Sequence, residues 1–177
     1  RTLSARPQDP TKTRAALRMS EEHSPLLQKA GNVGPISRNQ VAADLRAIGV
    51  YDGDHLGLGV SFRSLGVIEG GPEAFVNALM DAVGTHGTIM LPSYTKVNAH
   101  RIFDHNTTPA YTGLIPETLR QYPASRRSTH PTNSVVALGH MAEHLTRAHD
   151  PSAREYLPYS TLSELGGKIF CIGLGDN

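Results

Sequence analysis

Residues 55–92 confine the chain to a short list of folds. His55-Leu-Gly-Leu-Gly-Val60 follows the turn residues Asp52-Gly53-Asp54 and reads as a strand weakened by glycine. Gly70-Gly71 then opens a helix. Pro72 occupies a first helical position, Glu73 suits the positive helix start, and Ala74, Phe75, Ala78, Leu79, Ala82 and Val83 share one face. Gly84 ends this helix, and Gly87-Thr-Ile-Met-Leu91 is a compact apolar strand stopped by Pro92. Strand, glycine loop, helix and strand thus follow one another within about forty residues, the order of a βαβ unit, and the expected class is α/β.

The rest of the chain extends this pattern. Ser37, with Gln40 three residues on, fits a capping box before a helix over 38–48, with Val41, Leu45 and Ile48 on one face and Gly49 as the stop. Pro116 and Glu117 begin a short helix carrying Leu119, Ser134-Val-Val-Ala-Leu138 is a strand, and Met141, Leu145 and Ala148 pattern a helix ending near Asp150-Pro151. Gly166-Gly167 precedes a last strand over 168–174. Residues 1–35, punctuated by Pro7, Pro10, Pro25, Gly31, Gly34 and Pro35, read as a polar tail, leaving 36–177 as a single domain. The tail's Arg1, Arg6, Lys12, Arg14 and Arg18 lack the apolar run of a secretory signal and read as solvated rather than as a transit peptide. The chain opens on Arg1 rather than Met, which is compatible with a start upstream of it.

Charge and cysteine usage narrow the function classes. Lys and Arg total 17 against 16 Asp and Glu, so nothing global attracts nucleic acid or an anionic membrane, and any charged ligand must be met locally. No run approaches the roughly 18 apolar residues of a membrane span, and a soluble, cytoplasmic protein is expected, with its oligomeric state open. The lone Cys171 excludes a disulfide framework and a cysteine-only metal site. Lying in Lys168-Ile-Phe-Cys-Ile172, it reads as a small buried core residue rather than a nucleophile.

Two polar segments carry chemistry. Ser61-Phe-Arg-Ser-Leu-Gly66, running on to Gly70-Gly71, joins a strand to a helix and offers Ser61, Arg63, Ser64 and backbone N–H groups to a phosphate. It matches neither the dinucleotide fingerprint nor the P-loop. Arg126-Arg-Ser-Thr-His-Pro-Thr-Asn-Ser134 leads directly into a strand with guanidinium, hydroxyl and imidazole groups, a set that suits phosphate and also occurs in solvated loops. His140-Met-Ala-Glu143-His144 matches the H-x-x-E-H pattern of inverted zinc peptidases. A third ligand would have to come from a short, loop-rich remainder, so the pair reads as an exposed helix face and no metal is expected.

These residues resemble a known family. Arg63-Ser-Leu-Gly66 with Glu69-Gly-Gly71, Ala78-Leu79 and Val83-Gly84-Thr-His-Gly87-Thr88 is similar to the first block of the aminoglycoside 3-N-acetyltransferases. Phe103-Asp104, Thr108-Pro109, Gly113, Ile115-Pro116-Glu117 and Arg120 follow in that family's order. Then come Arg127-Ser128, His130-Pro131, Ser134, Ala137 and Gly139, and last Gly166-Gly167-Lys168 with Gly173 and Gly175. The resemblance covers 33–177 and implies a single α/β domain with a mixed sheet that uses acetyl-coenzyme A to acetylate an amino group of an aminoglycoside. It assigns Ser61, Arg63, Ser64, Gly66, Arg127, Ser128, His130 and Ser134 to the coenzyme and Asp104 to the substrate. Glu117 is the other carboxylate in a matched block.

Two departures accompany it. Gly59-Val60-Ser61 stands where the family has His-Ser-Ser, removing two polar side chains beside the coenzyme. The family's Asn-Thr-x-x-His-x-x-Glu motif, which carries the general base, is expected beyond Asn177, leaving His130 as a secondary catalytic candidate. Acetylation of a different amine, and coenzyme binding without turnover, are the alternatives.

Overall fold

The computed structural model describes residues 34–96 and 102–175. The stretch read as a polar tail therefore lies, apart from Gly34 and Pro35, outside the described residues. Those residues form helices α1 (Arg38–Ala47), α2 (Gly71–Val83), α3 (Leu114–Arg120), α4 (Ala142–Arg147) and α5 (Leu157–Glu164). The strands are β1 (His55–Val60), β2 (Thr88–Pro92), β3 (Arg126–Arg127), β4 (Val135–Gly139) and β5 (Lys168–Ile172). They build one mixed sheet in the order β3-β4-β2-β1-β5. β1 runs parallel to β2 and to β5, while β4 runs antiparallel to β2 and to β3. The expected βαβ unit is β1-α2-β2, with Leu56 paired to Ile89.

Period-two alternation divides the core into two layers. Leu56 and Leu58, Ile89 and Leu91, and Val136 and Leu138 face Leu45 of α1, the apolar face of α2, and Ile115 and Leu119 of α3. Met90, Val135 and Ala137 face Ala142 and Leu145 of α4 and Leu162 of α5. Burial on both faces explains why β2 and β4 read as continuous apolar runs. Glycine in β1 has a packing cause: a Cβ at Gly57 would stand 2.9 Å from Leu162 Cδ2, so glycine admits α5 against the strand.

Several boundaries differ from the sequence reading. Ser37 Oγ accepts the Gln40 N–H at 3.2 Å, but the Gln40 side chain turns forward to Asp44 at 2.7 Å, so only half of the capping box forms. α3 begins at Leu114, two residues before Pro116, which is buried. α5 was not anticipated; it buries only Pro158 and Leu162 and so carries little periodic signal. Cys171 is exposed, contrary to its reading as core. On the edge strand β5, Phe170 and Ile172 turn to the core while Ile169, 65% exposed, and Cys171 point to the side that α5 leaves uncovered. No helix among the described residues is long and apolar enough to cross a membrane.

The turn linking β4 to α4 needs glycine. Gly139 has φ 118°, and a Cβ there would overlap the Gly87 carbonyl oxygen and stand 2.8 Å from Thr88 Cα. At Gly49, φ is 99° with open space around it. Gly139→Ala is therefore expected to cost at least about 3 kcal/mol, from strain and backbone overlap together, against about 1 kcal/mol for Gly49→Ala from dihedral strain alone. Urea unfolding of the two variants checks this, and equal losses would contradict it.

Candidate functional site

The carboxyl ends of β1, β2 and β5 point to one edge of the sheet, and antiparallel β4 starts there. In open α/β sheets this edge is where loops converge to bind ligands. The turn after β1 is a short 3-10 helix, Phe62–Leu65, tied down where Ser61 N–H donates to the Ile172 carbonyl at 2.9 Å. Ser61 Oγ and Ser64 Oγ are 2.8 Å apart. Arg63 is exposed, and Gly66 closes the turn with φ 81°. The β3–β4 connection, holding Ser128, His130 and Ser134, lies on the same edge two strands away, roughly 10 Å by ordinary strand spacing. Ser93, at the end of β2, stands between the two segments, and its Oγ is buried without a hydrogen-bond partner.

Arg127 is spent on the protein itself. Its Nε donates to Ser134 Oγ at 3.2 Å and its NH2 to the Ser93 carbonyl at 2.7 Å, while NH1 donates to the carbonyls of Thr108 and His105. Its charge center lies 5.2 Å from the Phe103 ring. Burial, with some repulsion from Arg120, lowers its pKa to about 10, so it stays cationic at neutral pH. Ser134 Oγ in turn donates to the Ser93 carbonyl at 2.6 Å. These bonds join the end of β2, the 102–110 loop and the start of β4.

The same loop is clamped from below by Glu117. Its carboxylate accepts from Arg120 at 2.6 and 2.9 Å and from the Ala110 N–H at 2.8 Å, and Arg120 also donates to the Asn106 carbonyl. The Arg120 bonds, opposed by partial burial and aided by Ala110, hold its pKa down at about 2. Asp104 is exposed and builds a turn: it accepts from Asn106 N–H and Thr107 Oγ1, each at 2.9 Å, and the Asn106 bond above all keeps its carboxyl ionised. A cleft of about 260 Å³ opens between this loop and the β3–β4 connection, lined by Thr95, Phe103, Thr108, Tyr111, Pro131 and Thr132. Lys96 Nζ lies 3.9 Å from the Tyr111 ring center at its rim.

Beside the cleft, Ser128, His130 and His149 form a polar cluster that is almost wholly buried. His149 Nδ1 is 3.0 Å from Ser128 Oγ, and the His149 and His130 rings stack with centers 4.7 Å apart. His130 Nδ1 accepts the Asn133 N–H at 3.1 Å, which leaves the proton of the neutral ring on Nε2. Among the described residues no carboxylate bonds to His130. Burial, and then His130, lower the pKa of His149 and keep it neutral. Sequence reasoning missed His149 because it sits outside every motif, in the turn after α4; a histidine beside Asp150-Pro151 carries no local signal. His140 precedes α4 rather than lying on it, and its ring meets His86 at 6.0 Å, so the H-x-x-E-H residues do not share one helix. No cluster of three potential metal ligands occurs among the described residues.

The edge therefore offers an exposed guanidinium, hydroxyls, an imidazole donor and an ammonium group beside a mostly apolar cleft. That donor set fits a ligand joining phosphate groups to a less polar arm. The fold and site define a mixed α/β protein whose polar loops gather at the strand ends. A family model described as aminoglycoside 3-N-acetyltransferase matches residues 58–177, and the chain belongs to that family. Aminoglycoside N(3)-acetyltransferase VII of Streptomyces paromomycinus is 32% identical over 170 residues, covering 79% of this chain and 56% of that protein. The solved structure of AAC-IIIb in its binary complex with CoASH matches with TM-score 0.71 and 31% identity, over 78% of this chain and 59% of that one. AAC-VIa bound to sisomicin matches with TM-score 0.72 and 32% identity, over 80% and 61%. The chain spans a little over half the length of the curated relatives it matches.

Two outcomes follow from the clamps on the 102–110 loop. Arg127→Lys leaves several carbonyls unpaired, because one ammonium cannot reach them all, and is expected to cost about 2–4 kcal/mol in urea unfolding, whereas Arg63→Ala stays within about 0.5 kcal/mol. The folded-state pKa of Glu117 lies below its usual 4.5, so its stabilisation is full above that value and is lost as pH falls toward about 2. Glu117→Gln should therefore be less stable than the parent at pH 6, and the difference should shrink between pH values of about 4.5 and 3. A difference independent of pH would contradict the ion pair's role.

Proposed function

We propose that the chain carries the coenzyme side of an acetyl-coenzyme A-dependent N-acetyltransferase acting on an amino group of an aminoglycoside. The observation that carries this reading is the meeting of the Ser61–Gly66 turn and the Ser128–Ser134 connection on one sheet edge, in a member of this family. Coenzyme A bound to one relative and sisomicin bound to another support the choice of ligands. The cytoplasm, which supplies acetyl-coenzyme A, is the compartment that suits it.

Each residue has a part in this proposal. Ser61, Arg63, Ser64 and Gly66 meet phosphate groups through hydroxyls, guanidinium and an open backbone. The Ser128–Ser134 connection forms the other side, with His130 Nε2–H as a donor, while the buried Ser128 and Ser134 hydroxyls and Arg127 hold its shape from behind. Asp104, exposed and ionised, meets an ammonium group of the acceptor. Bound acetyl-coenzyme A would supply an activated thioester: the amine forms the new C–N bond, the C–S bond breaks, and the coenzyme leaves as thiolate. A base must take the amine proton, and His130 Nδ1 is already occupied by the Asn133 N–H, with no carboxylate bonded to the ring among the described residues. The base and its carboxylate are expected outside the described residues.

Calorimetry with coenzyme A and a thiol-release assay with acetyl-coenzyme A and sisomicin test this reading. Binding should be saturable and raise the melting temperature, and Arg63→Ala should weaken it by about 1.5–3 kcal/mol. Absence of both heat and thermal shift in the folded protein ends the proposal. Binding without thiol release, for a panel of amines, would leave a coenzyme-binding protein without turnover. That alternative is favoured by Gly59, where a Cβ would stand 3.0 Å from Leu174 Cδ1, so that leucine crowds the position of the family's histidine.

A further inference from the structure

His149 has contacts that a residue merely filling the core does not need. It is 1% exposed, and its carbonyl accepts the His130 N–H at 3.1 Å. Its Nδ1 meets Ser128 Oγ at 3.0 Å, and that oxygen also accepts the Val135 N–H at 3.0 Å, which fixes where the hydroxyl sits. The imidazole planes of His149 and His130 are only 11° from parallel. His149 Nε2, meanwhile, is buried without a well-formed hydrogen bond, with the Glu155 backbone as the group that acts on it. A poorly paired buried nitrogen costs stability, and a phenyl ring would supply the same stacking surface without that cost. The imidazole is retained where the core alone would favour a hydrocarbon.

We propose that His149 is the positioning residue of the coenzyme edge: its Nδ1 holds the Ser128 hydroxyl, and its ring face and carbonyl hold His130 with Nε2–H directed to the ligand. This inference rests on the functional reading above. His149 itself touches no ligand. It acts through two neighbours, fixing one by a hydrogen bond and the other by a stack, while the Asn133 N–H fixes the tautomer of His130. Loss of either contact frees a group that the coenzyme must then order at its own expense.

His149→Phe keeps the stack and loses the bond to Ser128, whereas His149→Asn keeps a bonding group near the Nδ1 position and loses the stack. His149→Phe is expected to melt close to the parent temperature, yet both variants should raise the Kd for coenzyme A and the KM for acetyl-coenzyme A by about 10-fold, with kcat changed far less. In coenzyme-free protein, the His130 ring resonances should move in His149→Asn as the ring-current field of the stack disappears. Unchanged Kd and KM in the folded variants would overturn the proposal, as would unmoved His130 resonances. If the parent protein binds no coenzyme A, the functional reading falls. The coenzyme-free spectra then decide whether His149 orients His130, and unmoved resonances reject it. Should His149→Phe fail to fold, that failure counts for a core role, and His149→Asn decides the rest.

Discussion

One half-buried guanidinium organises the ligand edge. Arg127 has partly left water, and the carbonyls of Ser93, Thr108 and His105 and the Ser134 hydroxyl offset that loss by receiving its N–H groups. Those acceptors belong to the end of β2, the loop beyond it and the entry to β4. Ser93 and Ser134 are already joined by a backbone bond of 2.7 Å that continues the β2–β4 ladder, so the planar fork of arginine ties the 102–110 loop to that pair. With the loop held from above by Arg127 and from below by Glu117, the cleft between Thr108 and Thr132 has two fixed walls.

The sheet supplies what this clamp stands on. β1, α2 and β2 form a support held by burial and register: Phe75, Leu79 and Val83 seal one face, and glycine at 57 lets α5 seal the other. Once the strands are buried on both sides, their side chains are committed to packing, and polar chemistry is left to the strand ends. The amino-terminal edge gathers His55, His86 and His140, where burial first and then His140 lower the pKa of His55. The carboxyl edge gathers hydroxyls and cations instead, which is the edge suited to an anionic coenzyme.

How much of this could be read from residues alone depended on range. α2 and β2 were legible because proline, glycine and a wide apolar face repeat within a few turns of chain. β3 was not: two arginines pair with Val136 and Ala137 only after β4 has docked on β2. Cys171 read as core because it lies in an apolar run, yet a strand at a sheet edge has one face that depends on what packs beside it. Motif order located the two polar segments, but the inward engagement of Arg127 and the stack of His149 on His130 join residues about twenty positions apart and more, and no local pattern announces them.

The central claim is that one ligand spans both polar segments at the carboxyl edge. Backbone amide chemical-shift mapping during titration with coenzyme A tests it most directly. The account predicts that residues of the Ser61–Gly66 turn and of the Ser128–Ser134 connection shift together, with one saturation curve, while those around His55, His86 and His140 stay still. Shifts confined to one segment, or centred on the histidine edge, would contradict it.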